Sequence, residues 1–164
     1  MSRIAIAVDA TVGSTVGRDD ESATFEPDAP PAGHGAGGRP VGHGRVPDTL
    51  GDDGRPLEAL VLMREPAVPG ADIPARPVGV LHLAAQGRTV DEMLCVAEDE
   101  CFTGIVDLAD LPRRHAEPGG WAAALARIAP ASAYRIEGCG PAREADELLD
   151  RARHACLQLT GCLE

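Results

Sequence analysis

The chain has 164 residues, 44% of them hydrophobic but only 2% aromatic, and a net charge of −11 with arginine as its only strong base. That length suits one domain, with a core built mainly from Ala, Val, Leu and Ile. The acidity, with no basic stripe to reverse it locally, argues against nonspecific nucleic-acid binding and against docking on anionic membranes.

No run approaches the roughly 18 apolar residues of a spanning helix. The apolar start, Met1 to Asp9, is too short for a secretory leader and lacks a cleavage site. Five cysteines follow no disulfide framework, so a reducing cytoplasm is the expected compartment.

In chain order, Arg3 to Asp9 is a short β-branched run ending in a polar residue, which predicts a buried first strand. Residues Ala10 to Pro56 hold ten Gly and six Pro. The centre of that stretch, Gly33 to Gly44, has too little apolar surface to offset its ordering entropy, so 10–56 reads as a flexible insert. Its one expected ordered piece is a short strand near Ala23 to Phe25. Leu57 to Met63 predicts a second strand. A Pro-rich link follows, through Pro66, Pro69, Pro74 and Pro77, and then a third strand over Val78 to Leu83.

Thr89-Val90-Asp91-Glu92 has the form of a capping box, with Val90, Met93, Leu94 and Ala97 on one face of the helix it would open. Thr103 to Leu108 reads as a strand. Gly119-Gly120 precedes a short helix carrying Trp121, Ala124, Leu125 and Ile128, and Ala133 to Ile136 reads as the last strand. Gly140-Pro141 opens a final helix with an apolar stripe from Ala145 to Leu159, an i,i+4 pair at Glu147 and Arg151, and Gly161 as its cap. The alternation predicts an α/β fold: a mostly parallel sheet of about five strands with three helices packed on it. Residues 57–164 would form the folded core of a single domain.

In such a sheet, ligands collect at the carboxyl ends of the strands. That picks out Asp9, His82, Asp107, Asp110, Glu137 and Cys139. Cys139, just before the amide-rich start of the last helix, is the candidate nucleophile; the helix dipole would lower its pKa. His82 or His115 would be its base and Asp110 the orienter. A small inert residue in a Gly-flanked turn is the competing reading of Cys139. For metal, the candidates are His34 and His43 in the Gly-rich stretch with Cys95 and Cys101. No C-x-x-C occurs, and Cys95 and Cys156 fall on apolar faces where Cys packs as a small hydrophobe. Glu98-Asp99-Glu100 and Asp52-Asp53-Gly54 read as solvated surface and turn chemistry, and Trp121 as a core anchor. Walker A, G-x-G-x-x-G, G-x-S-x-G and H-E-x-x-H are all absent.

The strand Arg3–Asp9 followed by Val16-Gly17-Arg18 resembles the start of nitrogenase-cofactor accessory domains. The resemblance is confined to that stretch, and no functional residue is carried across. The expected function is a small accessory or binding module, metal- or cofactor-associated, without a recognisable catalytic signature. The alternative is a small enzyme using Cys139. The sequence identifies no cofactor, protein partner, small ligand or oligomeric state.

Overall fold

The computed structural model describes residues 2–12, 40–111, 121 and 134–161. Six strands lie in one sheet: β1 (Ile4–Val12), β2 (Val41–Arg45), β3 (Glu58–Leu62), β4 (Asp72–Ala85), β5 (Arg88–Ala97) and β6 (Arg135–Pro141). Two single-turn 3₁₀ segments, Glu100–Phe102 and Leu108–Asp110, follow β5, and a long helix, α1 (Ala142–Leu159), follows β6.

Hydrogen bonding runs in the order β1-β2-β3-β5-β4, and β1 pairs back onto β4, so these five strands close into a barrel. Strand β4 is long enough to change neighbours along one edge. Its start, Asp72 to Ala75, faces β1, whereas Gly79 to Ala84 face β6. A register shift between Pro77 and Gly79 marks the change, and this is where a strand tolerates a residue without an N–H. Closure leaves no free edge on the barrel strands where they pair.

Side-chain alternation sorts the core onto two faces. Ile4, Ile6, Val8, Ala59, Val61, Met93 and Cys95 form one cluster, which Ala145, Leu148, Leu149 and Ala152 of α1 join. Strands that are not neighbours in the ring meet in it, so this is the barrel interior. Val41, Leu60, Leu62, Leu81, Leu83, Leu94 and Val96 face outward, where Phe102, Leu111 and Trp121 cover them. Arg76 ties the covering segment to β4: its Nη2 donates to the carbonyls of Phe102, at 2.7 Å, and Ile105, at 3.0 Å.

Several expectations are corrected. The sheet is mostly antiparallel, with β3–β5 its parallel pairing. The helix expected from Thr89 is strand β5. Met93 to Val96 are buried on both faces of the sheet, and a continuous apolar run carries no period that separates a strand from a helix. A two-residue turn at Gln86-Gly87, with φ of 49° and 77°, joins β5 to β4 as a hairpin. The expected Pro-rich link is partly β4 itself, since Pro74 and Pro77 lie within it.

The expected strand at Thr103 to Leu108 is turn structure instead. Asp99 accepts from Cys101 N, and Asp107 and Asp110 cap one another's backbone, so aspartates satisfy the chain locally. Within the expected flexible insert, residues 41–45 are strand β2; the strand near Ala23 to Phe25 lies outside the described residues, as does the helix after Trp121 beyond that residue. The first strand, the strand at Leu57 and the final helix stand where the periodicity places them, with Gly161 left-handed at φ 72° after α1.

Gly44 is where β1 and β2 come closest. A Cβ there would run into the Ala7 carbonyl and lie 2.9 Å from Ile6 Cγ2. We therefore expect Gly44→Ala to destabilise the chain by about 3 kcal/mol in urea unfolding, the scale of an overpacked core position. A loss below about 0.5 kcal/mol, the level of a surface change, would contradict this packing.

Candidate metal centre

The outward face of β2, β3 and β5 carries a polar cluster at one end of its apolar row. On β2, Val41, His43 and Arg45 share a face; on β3, Glu58, Leu60 and Leu62; on β5, Glu92, Leu94 and Val96. The parallel register pairs Leu60 with Leu94, and the same offset sets Glu58 beside Glu92. The antiparallel register pairs His43 with Leu60 and Arg45 with Glu58, so His43 lies diagonally across from Glu58.

His43 Nε2 lies 3.2 Å from Glu92 Oε1 and 4.0 Å from Glu58 Oε2. One ligand atom from each of the three falls within 4.8 Å of the others. Burial lowers the His43 pKa, but the Glu92 carboxylate, and then Glu58 and Asp9, outweigh it and leave the imidazole above its ordinary value. Burial raises Glu58, and the charges of Glu92 and Asp53 add to that against His43 and Arg55. Glu92 is 1% exposed, and its Oε1 accepts no well-directed hydrogen bond. Asp9 and Arg45 flank the cluster with a 3.1 Å contact of their own.

Glu58 also lines a cleft at the barrel rim, between β3, β5 and α1, together with Asp52, Asp53, Thr89, Asp91 and Arg151. Of the three clustered side chains, Glu58 is the one that lines this cleft.

The residues singled out from sequence lie in several places. His43 is in the cluster. His34 and His115 lie outside the described residues. Cys95 is buried in the barrel interior, where burial pushes its thiol up, and Cys101 is exposed on the first 3₁₀ turn. Cys139 lies on β6 opposite Leu81 and packs against the outer cluster; burial raises its thiol, the reverse of the expected helix-dipole effect. His82 points to the other face, held between Asp91 Oδ1 at 2.7 Å from Nδ1 and Glu144 Oε1 at 2.9 Å from Nε2. Asp110 accepts from the Val106 and Asp107 amides. The sheet thus separates Cys139 from His82, and Asp110 is occupied with its own turn.

Glu58 and Glu92 were not among the sequence candidates. Glu92 is hidden by the helical reading of β5; alternation of Glu92, Leu94 and Val96 on one face is the signal that places it. Glu58 is the polar first residue of a strand, a position that ordinarily carries no meaning.

These features define a small closed-barrel protein, OB-like in form, with one metal-capable centre among its described residues. A family model described as inorganic pyrophosphatase matches residues 32–156. An inorganic pyrophosphatase of Leifsonia xyli subsp. xyli is 35% identical over 124 residues, which cover 74% of this chain and 76% of that protein. The chain belongs to the inorganic pyrophosphatase family.

A soluble inorganic pyrophosphatase 2 of Chlamydomonas reinhardtii is 43% identical over 74 residues, covering 44% of this chain and 38% of that one. With 43% coverage of a Synechocystis relative, the chain spans about two-fifths of the length of these two curated proteins. Among solved structures, an inorganic phosphatase from Anaplasma phagocytophilum superposes with a TM-score of 0.69 at 25% identity, over 94% of this chain and 93% of its own. An inorganic pyrophosphatase from Helicobacter pylori gives the same values.

Family membership overturns the expectation of an accessory or binding module without a catalytic signature, and with it the resemblance to nitrogenase-cofactor accessory domains. Among the described residues, no helix is long and apolar enough to cross a membrane.

His82 supports a pH prediction. Its hydrogen bond with Asp91 raises it; burial opposes, and the Asp91 and Glu144 charges add to the rise. A raised histidine contributes stability that is complete below its unfolded value and is lost as pH climbs through its native one. We expect the stability difference between wild type and His82→Gln, read from urea unfolding, to shrink between about pH 6 and about pH 9. A difference constant across that range would contradict the two-carboxylate clamp.

Proposed function

We propose that this chain hydrolyses a phosphoanhydride, with inorganic pyrophosphate, the substrate in its relatives' names, as the first candidate, at the His43–Glu58–Glu92 centre. The observation that carries this reading is positional. The one group of three ligand-capable side chains among the described residues lies within the segment matched by the family model.

Charge shapes how such a site works. The chain has no lysine and a net charge of −11, and the centre sets two carboxylates against one imidazole. A bare polyphosphate would be repelled. His43, Glu58 and Glu92 fit a divalent cation in donor type and spacing, and they would hold it. When bound, such an ion supplies charge neutralisation at phosphoryl oxygens and a more acidic water. The chain's own residues do the rest. Glu92, fixed by the sheet and buried, orients the site; Glu58, at the cleft, faces incoming substrate and can accept a proton from water. Arg55, close enough to act on the Glu58 charge, and Arg151, in the cleft, are the guanidinium groups available to anionic oxygens. The donors suffice for one ion rather than a two-ion clamp.

The same reading puts the protein in the cytoplasm. Four described cysteines are thiols rather than disulfides, as a reducing compartment favours.

The test is orthophosphate release from pyrophosphate with Mg²⁺, Mn²⁺, Co²⁺ or Zn²⁺. We expect turnover with at least one ion and a loss of about hundredfold or more in Glu92→Gln, the scale of disturbing a metal centre. No release above the metal-only blank with any of the four ions would overturn the hydrolase reading.

A further inference from the structure

We infer that the His43–Glu58–Glu92 centre selects a borderline divalent transition metal, such as zinc or cobalt, over magnesium. This rests on the centre assigned above but not on its catalysing hydrolysis.

Three observations support it. The first is the donor set: one imidazole nitrogen and two carboxylates. Magnesium prefers six oxygens in near-ideal octahedral geometry and keeps several waters, whereas imidazole suits zinc, copper, nickel and iron. The second is spacing. Ligands about 2.1 Å from a tetrahedral ion stand ~3.4 Å apart. The His43–Glu92 contact of 3.2 Å is already there, and the 4.0 Å from His43 to Glu58 closes by a side-chain rotation at the half-exposed Glu58.

The third is the state of Glu92. Its Oε1 is buried without a well-directed donor, 3.2 Å from His43 Nε2, and the residue lies beside a second glutamate on a parallel strand. Like charges side by side in a sheet are unfavourable, and a buried carboxylate without full hydrogen bonding is more so. A single imidazole between two carboxylates leaves acceptor capacity unused on both. A cation among the three uses it.

Neighbouring residues narrow the choice further. Arg45 Nε donates to Asp9 Oδ2 at 3.1 Å beside the centre. Cys95 is buried on the inner face and Cys101 sits on a 3₁₀ turn beyond β5, so no described thiol joins the cluster to turn it into a sulfur site.

The experiment uses the full chain without an affinity tag. Zn²⁺ is titrated calorimetrically, and Co²⁺ is followed by its visible absorption, each with and without Mg²⁺. The expected result is one ion per chain, retained against about a thousandfold excess of Mg²⁺. His43→Asn and Glu92→Gln should weaken binding by about hundredfold or more, and Cys101→Ser should leave it unchanged. Glu58→Gln, at the more exposed ligand, keeps the test valid if a buried substitution fails to fold. Displacement by Mg²⁺ at comparable concentration, a cobalt–thiolate charge-transfer band, or unchanged binding in His43→Asn, Glu92→Gln and Glu58→Gln would overturn the inference. Tight zinc without phosphate release would overturn the hydrolase reading alone. Phosphate release with Mg²⁺ and no zinc site would overturn this inference alone.

Discussion

Two glutamates held side by side on neighbouring parallel strands repel each other, and here one of them is buried. The β3–β5 register makes the contact unavoidable once Leu60 and Leu94 are paired. Slipping either strand by one residue would turn that apolar row toward the barrel interior and the interior row outward. The core therefore holds Glu58 and Glu92 together, and β2 delivers His43 from the other side, its Nε2 3.2 Å from Glu92 Oε1. The chemistry proposed for the chain follows from this constraint.

The same constraint explains why closure matters. β2 reaches its place because Gly44 lets it lie against β1, and β1 returns to β4 to complete the ring. α1 joins the interior cluster, while Phe102 and Leu111, after β5, and Trp121 cover the outward face. The Asp107 side chain caps the first amide of α1, at 3.1 Å from Ala142 N, linking that covering segment to the helix. His82 adds a second link, from the β4–β5 hairpin to Glu144 of α1. The centre is thus on strands that are braced on both faces, with Glu58 shared between it and the rim cleft.

Part of this was legible from the residues. Arg3 to Asp9 and Leu57 to Met63 are largely β-branched or aliphatic runs, and the stripe from Ala145 to Leu159 has a clean helical period. Residues 88–97 misled because Met93-Leu94-Cys95-Val96 is apolar on both faces, and because Thr89 and Glu92 mimic a helix cap. Val41 to Arg45 was obscured by its glycines, which here serve close strand approach rather than flexibility. The site suffered most. Its residues come from three strands whose neighbours are set by long-range pairing, and only His43 belongs to a residue type that attracts notice alone. Reading β5 as a helix hides Glu92, and a parallel sheet points to strand ends, where Cys139 and Asp110 are expected, whereas Cys139 lies within β6 and Asp110 on a 3₁₀ turn.

The most direct test of the centre is anomalous diffraction from crystals of the chain soaked with Zn²⁺ or Mn²⁺. The expected result is an anomalous peak in contact with His43 Nε2 and the carboxylates of Glu58 and Glu92, with the His43–Glu92 contact replaced by ligation. An intact His43–Glu92 ion pair with no peak beside it, or a peak only in the rim cleft against Asp52, Asp53 or Asp91, would contradict it.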